Sequence, residues 1–217
     1  MARHKDLLYI FFFAIVAELR GQGYESYIEK KNKQLKKVVI ENKEEDKRIH
    51  DIYLEAFPPE ERISYWILQR RVKQERAEQW NLFNEEDQWV GWIYLIKIKD
   101  CDYVYIFYFA IEARFRGKGY GTKALQKVLE HYQDYRIILC LEDWREDTPD
   151  KEKRIRRHQF YLKCDFHDLP YLQKEPKLSF ATMGYGDTVK PEEFKDMIDT
   201  YMGWPLKYIN NWKLAKI

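Results

Sequence analysis

The stretch Tyr103–Leu129, with the sequence YVYIFYFAIEARFRGKGYGTKALQKVL, decides the fold of this chain. Its first nine residues are aromatic, β-branched or otherwise apolar, which is typical of a strand buried on both faces. Further along, apolar residues recur at Leu125, Val128, Leu129 and Tyr132 with the spacing of one helix face. The stretch therefore predicts a buried strand, a short connection and an amphipathic helix.

The connection between this strand and this helix contains three glycines at alternate positions, Gly117, Gly119 and Gly121. Glycine lacks a Cβ, so a ligand can come close to the main chain there. The N–H groups of the first helical turn add partial positive charge, and Arg116 and Lys118 add full charges. These features predict an anion site, and a diphosphate is the anion that we expect.

Two other phosphate-binding loops do not fit this connection. A Walker loop requires Gly-Lys followed directly by Ser or Thr, whereas the order here is Gly121-Thr122-Lys123. The dinucleotide fingerprint requires a third glycine at the position that Thr122 occupies. Neither a nucleoside triphosphate nor a dinucleotide is therefore the expected ligand.

The connection instead resembles the Arg/Gln-x-x-Gly-x-Gly/Ala loop of the GNAT superfamily of acyl-CoA-dependent N-acetyltransferases, with Arg116, Gly119 and Gly121 at its defined positions. The resemblance spans roughly residues 37 to 190. It includes the strand-like segment ILCLE at 138–142 and the helical segment RRHQFY at 156–161. The MGYG run at 183–186 is similar to a subgroup of small bacterial members.

The resemblance implies an α/β (α+β) fold, in which helices flank a mixed, mostly antiparallel twisted sheet with a splay between strands four and five. Pattern analysis predicts strands at 37–40, 80–83, 89–99, 103–111, 135–141 and 178–183. It predicts helices at 44–57, 60–76, 150–164 and 191–201, besides the one after the glycines.

The resemblance also implies acetyl-CoA as the co-substrate. Phe109, Ala110 and Ile111 would bind the pantetheine arm through their main chain, and the N–H of Ile111 would polarise the thioester oxygen. The implied diphosphate-binding residues are Arg116, Gly117, Lys118, Gly119, Tyr120, Gly121 and Thr122. The alternative interpretation is a core strand joined to a helix by an ordinary glycine turn.

Two residues are the catalytic candidates that the resemblance implies. Tyr161 would be the general acid that protonates the leaving thiolate, since a phenol has a pKa near 10. Glu142 would be the base, acting directly or through a water. A plain core tyrosine and a solvated glutamate are the alternatives. His158 stands where the subgroup has an apolar residue, and Asp165 stands where it has glycine.

The first residues form a partial second copy of the cofactor-binding element. When Asp6–Tyr24 is aligned with Asp102–Tyr120, 12 of 19 residues are identical. Glu25 takes the place of Gly121 and would bring a carboxylate to the phosphate site. We therefore divide the chain into a remnant copy at 1–35, which no longer binds cofactor, and an acetyltransferase-like domain at 36–217.

Composition limits the classes of partner. The 38 basic and 36 acidic residues leave a net charge of +2, which gives no reason to expect nucleic acid. Cys101, Cys140 and Cys164 are read as buried free thiols of a cytoplasmic protein, and no Cys/His cluster has the spacing of a metal site. The sequence leaves open whether the protein forms a homodimer. The apolar run Leu7–Ala17 leaves an exported or membrane-associated protein as an alternative.

The function expected from the sequence is direct transfer of an acetyl group from acetyl-CoA to a primary amine of a small molecule or peptide. Glu60, Glu61 and Glu142 are acidic residues that could hold a cationic amine. The alternative is a catalytically silent protein of the same fold that binds CoA or serves interaction.

Overall fold

The computed structural model describes residues 8–9, 43–84, 86–175, 178–208 and 212–217. The helices are α1 (Lys43–Ala56), α2 (Tyr65–Lys73), α3 (Tyr120–His131), α4 (Lys151–Leu162) and α5 (Pro191–Met202). The strands are β1 (Leu8–Tyr9), β2 (Ala77–Phe83), β3 (Trp89–Ile96), β4 (Tyr103–Ile111), β5 (Arg136–Glu142), β6 (His167–Lys174), β7 (Ser179–Tyr185) and β8 (Lys213–Lys216). Contacts divide the chain into two compact units, and β4 contributes to both.

The first unit contains the described residues up to Leu95 together with Tyr108–His131. Its strands follow the order β1-β2-β3-β4, and β1 pairs in parallel with β2 through Leu8↔Leu82. Tyr108 of β4 lies at the centre of an aromatic core, with ring centroids 5.1 Å from Tyr53 and 6.0 Å from Trp92. This core binds α1 to the sheet next to the end of β4.

The second unit contains Ile96–Phe107 and the described residues from Tyr132 onward. Its strands follow the order β4-β5-β7-β6-β8. The first four residues of β4 pair in parallel with the first four of β5, ending at Ile106↔Leu139, and each strand continues past that point. The β5–β7, β6–β7 and β6–β8 pairs are antiparallel. The predicted mixed, mostly antiparallel α/β fold is confirmed.

The predicted helix at 60–76 is shorter than expected. A single 3₁₀ turn covers Pro59–Glu61, and α2 begins only at Tyr65. Ile63, in the segment between them, donates its N–H to the Tyr108 hydroxyl. Its carbonyl oxygen accepts a hydrogen bond from the Tyr53 hydroxyl. These side-chain bonds compete with the helical ones, so the chain stays extended there.

Two strands were not predicted from the sequence. The β6 sequence HDLPYLQK contains Pro170 and charged residues, and its register with β7 shifts between Asp168 and Leu172. Proline is tolerated in a strand at such an irregularity. Together with the charged residues, it removes the apolar alternation by which a strand is recognised in a sequence. The other, β8, is a short polar strand. The predicted strand at 37–40, and all of the N-terminal copy except Leu8–Tyr9, lie outside the described residues.

Within the described part of the chain, none of the helices has the length and the apolar content needed to cross a lipid bilayer.

Candidate functional site

The end of β4 lies very close to the backbone of β3. The N–H of Glu112 donates to the carbonyl oxygen of Val90 at 2.9 Å. A Cβ added to Gly91 would lie 2.4 Å from the carbonyl oxygen of Ala110 and 3.2 Å from the Cα of Ile111. Only glycine therefore fits at position 91, and this close approach sets the course of the main chain through Ala110 and Ile111.

An aromatic pair encloses the loop that follows. After a 3₁₀ turn at Ala113–Phe115, the chain enters the glycine loop, Arg116–Gly119, and then α3. The rings of Phe115 and Tyr120, on either side of this loop, are buried and meet edge to face at 5.4 Å. Their contact holds the two ends of the glycine loop together, a role that the sequence analysis did not assign.

The backbone of the glycine loop has the conformation that its glycines permit. Gly117 and Gly119 have φ values of +75° and +83°, which residues with a Cβ rarely adopt. No heavy atom of the described residues outside the adjacent chain lies within 4 Å of a Cβ added at either position, so this side of the loop is open.

The first helical hydrogen bond of α3 runs from the N–H of Lys123 to the carbonyl oxygen of Gly119 at 3.2 Å. The N–H groups of Gly121 and Thr122 lie in the first turn of α3, and the helix itself provides no acceptor for them. An open loop and a helix N-terminus are thus adjacent, which suits an anion.

Arg116 ties the loop back to the strand before it. Its Nε–H donates to the carbonyl oxygen of Ile111 at 2.8 Å, and its Nη2 contacts Glu55 of α1 at 3.1 Å. The sequence analysis expected this guanidinium to help hold a diphosphate. In the structure, the contacts of Arg116 with Ile111 and Glu55 connect the loop with the end of β4 and with α1.

A cavity of about 470 Å³ adjoins the start of this connection. Four carboxylates and two guanidinium groups face it, above an apolar base formed by Ile52 and Trp89. The charged lining residues are Asp51, Glu55, Asp87, Glu112, Arg48 and Arg114. Arg114 pairs with Glu112 and Arg116 pairs with Glu55, and the small excess of negative charge that remains suits a cationic ligand better than an anionic one. Glu60 and Glu61, which the sequence suggested for holding an amine, are not among its lining residues.

All ten predicted cofactor-binding residues lie in the first unit, on the end of β4, the glycine loop and the first turn of α3. The two catalytic candidates, Tyr161 and Glu142, lie in the second unit. The structure therefore groups each set within one compact unit.

Tyr161 lies on α4 and is buried between two other aromatic rings. Its ring centroid is 5.1 Å from that of Phe160 and 5.8 Å from that of Phe166. Burial raises the pKa of Tyr161 to about 12, and the positive charge of Arg157 opposes part of that rise. The phenol is therefore fully protonated at neutral pH, as a proton donor must be.

Helix α4 and the turn after it accommodate the two departures from the subgroup pattern. Asp165 has a φ of +64°, the left-handed conformation for which glycine is usual and which aspartate tolerates. His158 is buried, stacks on Trp144 at 4.5 Å, and bonds through Nε2 to the Asp168 carboxylate at 2.9 Å. Its ring thus packs as an apolar residue would, and its polar edge has a partner.

Glu142 is the last residue of β5, and its backbone pairs with Phe180 of β7. Its carboxylate forms an ion pair with Arg157 of α4, and the Glu142 side chain is only 13% exposed. This ion pair was not predicted from the sequence.

The three cysteines are free thiols, as predicted, but only Cys164 is buried as expected; Cys101 and Cys140 are half-buried. Among the described residues no group of three or more His, Cys, Asp or Glu side chains is arranged to hold a metal ion.

Comparison with known proteins assigns the family. Residues 47–166, more than half of the chain, match the acetyltransferase (GNAT) family. The fold is similar to that of a putative GNAT-family acetyltransferase from Bacteroides thetaiotaomicron, with a TM-score of 0.60 and 22% identity over 76% of this chain and 93% of that one. No curated protein matches the sequence significantly.

The fold is also similar to that of a spermidine N-acetyltransferase chimera of Vibrio cholerae SpeG and hSSAT, with a TM-score of 0.53 and 13% identity over 66% of this chain and 92% of that one. A spermidine/spermine N-acetyltransferase from Vibrio cholerae, solved with manganese ions, has a TM-score of 0.51 and 14% identity over 66% and 87%. At these identities the likeness concerns the fold alone.

Proposed function

This chain belongs to the GNAT family of acetyltransferases, and we propose that it transfers the acetyl group of acetyl-CoA directly to a primary amine of a small molecule or peptide. The observation that carries the proposal is the glycine loop. Two glycines with positive φ, an open face and a helix start provide main-chain donors for the diphosphate of a CoA thioester.

In this proposal the acetyl-CoA residues are those that the family resemblance implied. The N–H groups of Gly117, Lys118, Gly119, Tyr120, Gly121 and Thr122 bind the diphosphate. Phe109, Ala110 and Ile111 bind the pantetheine arm through their backbone, and the N–H of Ile111 polarises the thioester carbonyl. Arg116 supports this binding mainly by holding the loop to Ile111, as its hydrogen bond indicates.

The chemical step needs a proton donor and a proton acceptor. The amine nitrogen bonds to the carbonyl carbon, the carbon–sulfur bond breaks, and its electron pair stays on sulfur. Tyr161 donates its hydroxyl proton to that sulfur, and its raised pKa of about 12 keeps the donor protonated. Glu142, directly or through a water, takes the proton that the amine loses.

The acceptor is proposed to be an amine that is cationic in solution and gives up one proton to water before its neutral nitrogen attacks the thioester. The excess of carboxylates around the 470 Å³ cavity supports this choice, since they would attract an ammonium or a polyamine. Two solved structures with the same fold carry the names of spermidine N-acetyltransferases. Spermidine is therefore a sensible first member of an amine panel.

The test is a thiol-release assay with acetyl-CoA and a panel of diamines, polyamines, amino acids and peptides. We expect the parent protein to release CoA with at least one amine. Tyr161→Phe should lower kcat by about 100-fold while the KM for acetyl-CoA stays within twofold. Gly119→Glu should abolish acetyl-CoA binding in a calorimetric titration, because it places a charged side chain where the phosphates would bind.

Tyr208→Phe is the matched control, since Tyr208 is 71% exposed and belongs to neither set of site residues. It should behave as the parent. Tight acetyl-CoA binding without thiol release over the whole panel would favour the silent CoA-binding alternative. A folded parent that binds no CoA would refute both functions.

A further inference from the structure

Arg157 lies between the two catalytic candidates. It forms an ion pair with Glu142 at the end of β5, and it lies one helical turn before Tyr161 on the same face of α4. Its side chain is 34% exposed and that of Glu142 is 13% exposed, so water screens the pair less than it screens a surface salt bridge.

The surroundings of this group are rigid. The end of β5 is fixed by the pairing of Glu142 with Phe180, and the N–H of Asp143 donates to the carbonyl oxygen of Ser179 at 2.9 Å. On the helix side, the N–H of Phe166 donates to the carbonyl oxygen of Tyr161 at 3.2 Å. A guanidinium held between two fixed elements keeps its charge in one place.

We propose that Arg157 is a positioning residue for acetyl transfer, which is held by its ion pair with Glu142 and stabilises the phenolate that forms on Tyr161. This inference rests on the proposed function. When the Tyr161 hydroxyl gives its proton to the leaving sulfur, the negative charge passes to the phenol oxygen. A fixed cation one turn away lowers the energy of that state and requires no reorganisation.

The ion pair with Glu142 at the end of β5 holds the guanidinium on the face of α4 that carries Tyr161. The opposing effect of Arg157 on the burial-raised pKa of Tyr161 agrees with this arrangement. This effect does not require Arg157 to touch the substrate.

The experiment measures kcat, KM for acetyl-CoA and thermal midpoint for Arg157→Gln, Arg157→Lys and Arg156→Gln. Arg156 is the matched control because it is the neighbouring arginine, is 69% exposed and pairs with the exposed Glu152. We expect Arg157→Gln to lower kcat about tenfold with an unchanged KM, and Arg157→Lys to recover most of that loss, since a cation remains. Arg156→Gln should match the parent.

A double-mutant cycle separates an effect through Tyr161 from a structural one. In a Tyr161→Phe background, Arg157→Gln should lower kcat by less than about twofold, because the hydroxyl that the cation serves is absent. If Arg157→Gln does not fold, Arg157→Met, which keeps an apolar stem but no charge, replaces it in both backgrounds.

An active parent with equal losses in both backgrounds, or an Arg157→Gln variant with the kcat of Arg156→Gln, would overturn the inference alone. An inactive parent would overturn the proposed function as well, so the two failures can be told apart.

Discussion

The Nε–H of Arg116 donates to the carbonyl oxygen of Ile111 at 2.8 Å, so the first residue of the glycine loop is fastened to the strand that leads into it. The same guanidinium contacts Glu55, but both of those side chains are more than half exposed. Of the two contacts, the bond to the main chain is the one that defines where the loop begins.

Arg116→Gln should therefore weaken acetyl-CoA binding. The loss of a charge-assisted hydrogen bond costs about 1.4 kcal/mol, which corresponds to a roughly tenfold higher Kd in a calorimetric titration. Glu55→Gln is the comparison, since it removes only the exposed ion pair and should change Kd by less than about twofold. Equal effects of the two variants would show that the main-chain contact is unimportant.

The substitution Gly91→Ala in β3 should disturb the end of β4, the neighbouring strand. The new Cβ would lie 2.4 Å from the carbonyl oxygen of Ala110, which is backbone and cannot turn aside. We expect a loss of about 1–3 kcal/mol in the free energy of unfolding, measured in urea, together with weaker acetyl-CoA binding.

The control for that variant is Gly184→Ala, where the Cβ would meet the Leu169 side chain at 3.1 Å. A side chain can move by a few tenths of an ångström, so this loss should be smaller. A greater loss for Gly184→Ala than for Gly91→Ala would contradict the role of the close approach.

The loss of stability on substituting Gly119 should depend on how readily the new residue adopts a positive φ. Gly119 has a φ of +83°, and no described neighbour lies within 4 Å of an added Cβ. Gly119→Ala should lower the free energy of unfolding by about 1 kcal/mol, and Gly119→Asn by less, since asparagine enters the left-handed region more readily. Urea denaturation of both variants checks the order. If alanine were the better tolerated residue, the loop would have a different conformation in solution.

Arg136 holds a charge cluster at the start of β5. It pairs with Asp102 at 2.6 Å and with Glu193 at 2.9 Å, and its side chain is 18% exposed. Hydrogen bonding to Arg136 lowers the pKa of both carboxyl groups. The two carboxylates therefore stabilise the fold fully at a pH above the pKa values that they have in the unfolded chain. This stabilisation is lost as the pH falls through the lower pKa values that they have in the folded protein.

Arg136→Gln should lower the free energy of unfolding by about 2 kcal/mol at neutral pH. It should also make stability less dependent on pH in the acid range, because the two carboxyl groups lose their partner. Urea denaturation from pH 7 down to pH 3 measures both effects. Arg48→Gln, which breaks an exposed pair with Glu44, should cost less than about 0.5 kcal/mol and leave the pH dependence unchanged.

Much of the fold was accessible from local pattern. The strand Tyr103–Ile111 was predicted with the bounds that the structure has, and α1 and α5 were each predicted to within one residue at either end. These segments have strong periodicity or clear end signals, such as Pro191 at the first turn of α5. β6 was missed because Pro170 and its charged residues hide a strand that is supported by pairing with β7 and β8.

The candidate site was predicted in part. The glycine loop, the helix start and the left-handed residue before Phe166 are visible in the sequence, since each depends on residue type at a local position. The partners of Arg116 and Glu142 were not, because a side chain's partner depends on which elements pack together.

The sequence by itself therefore determined the strand, glycine loop and helix on which the family assignment rests, because backbone preference and apolar spacing are properties of neighbouring residues. The tertiary structure alone decided that Gly91 abuts Ala110, that Arg116 holds Ile111 and that Arg157 engages Glu142. The contacts of Gly91 and Arg157 join segments that are separate along the chain, whereas that of Arg116 reaches back five residues across a turn. In each case the folded path of the main chain brings the atoms together.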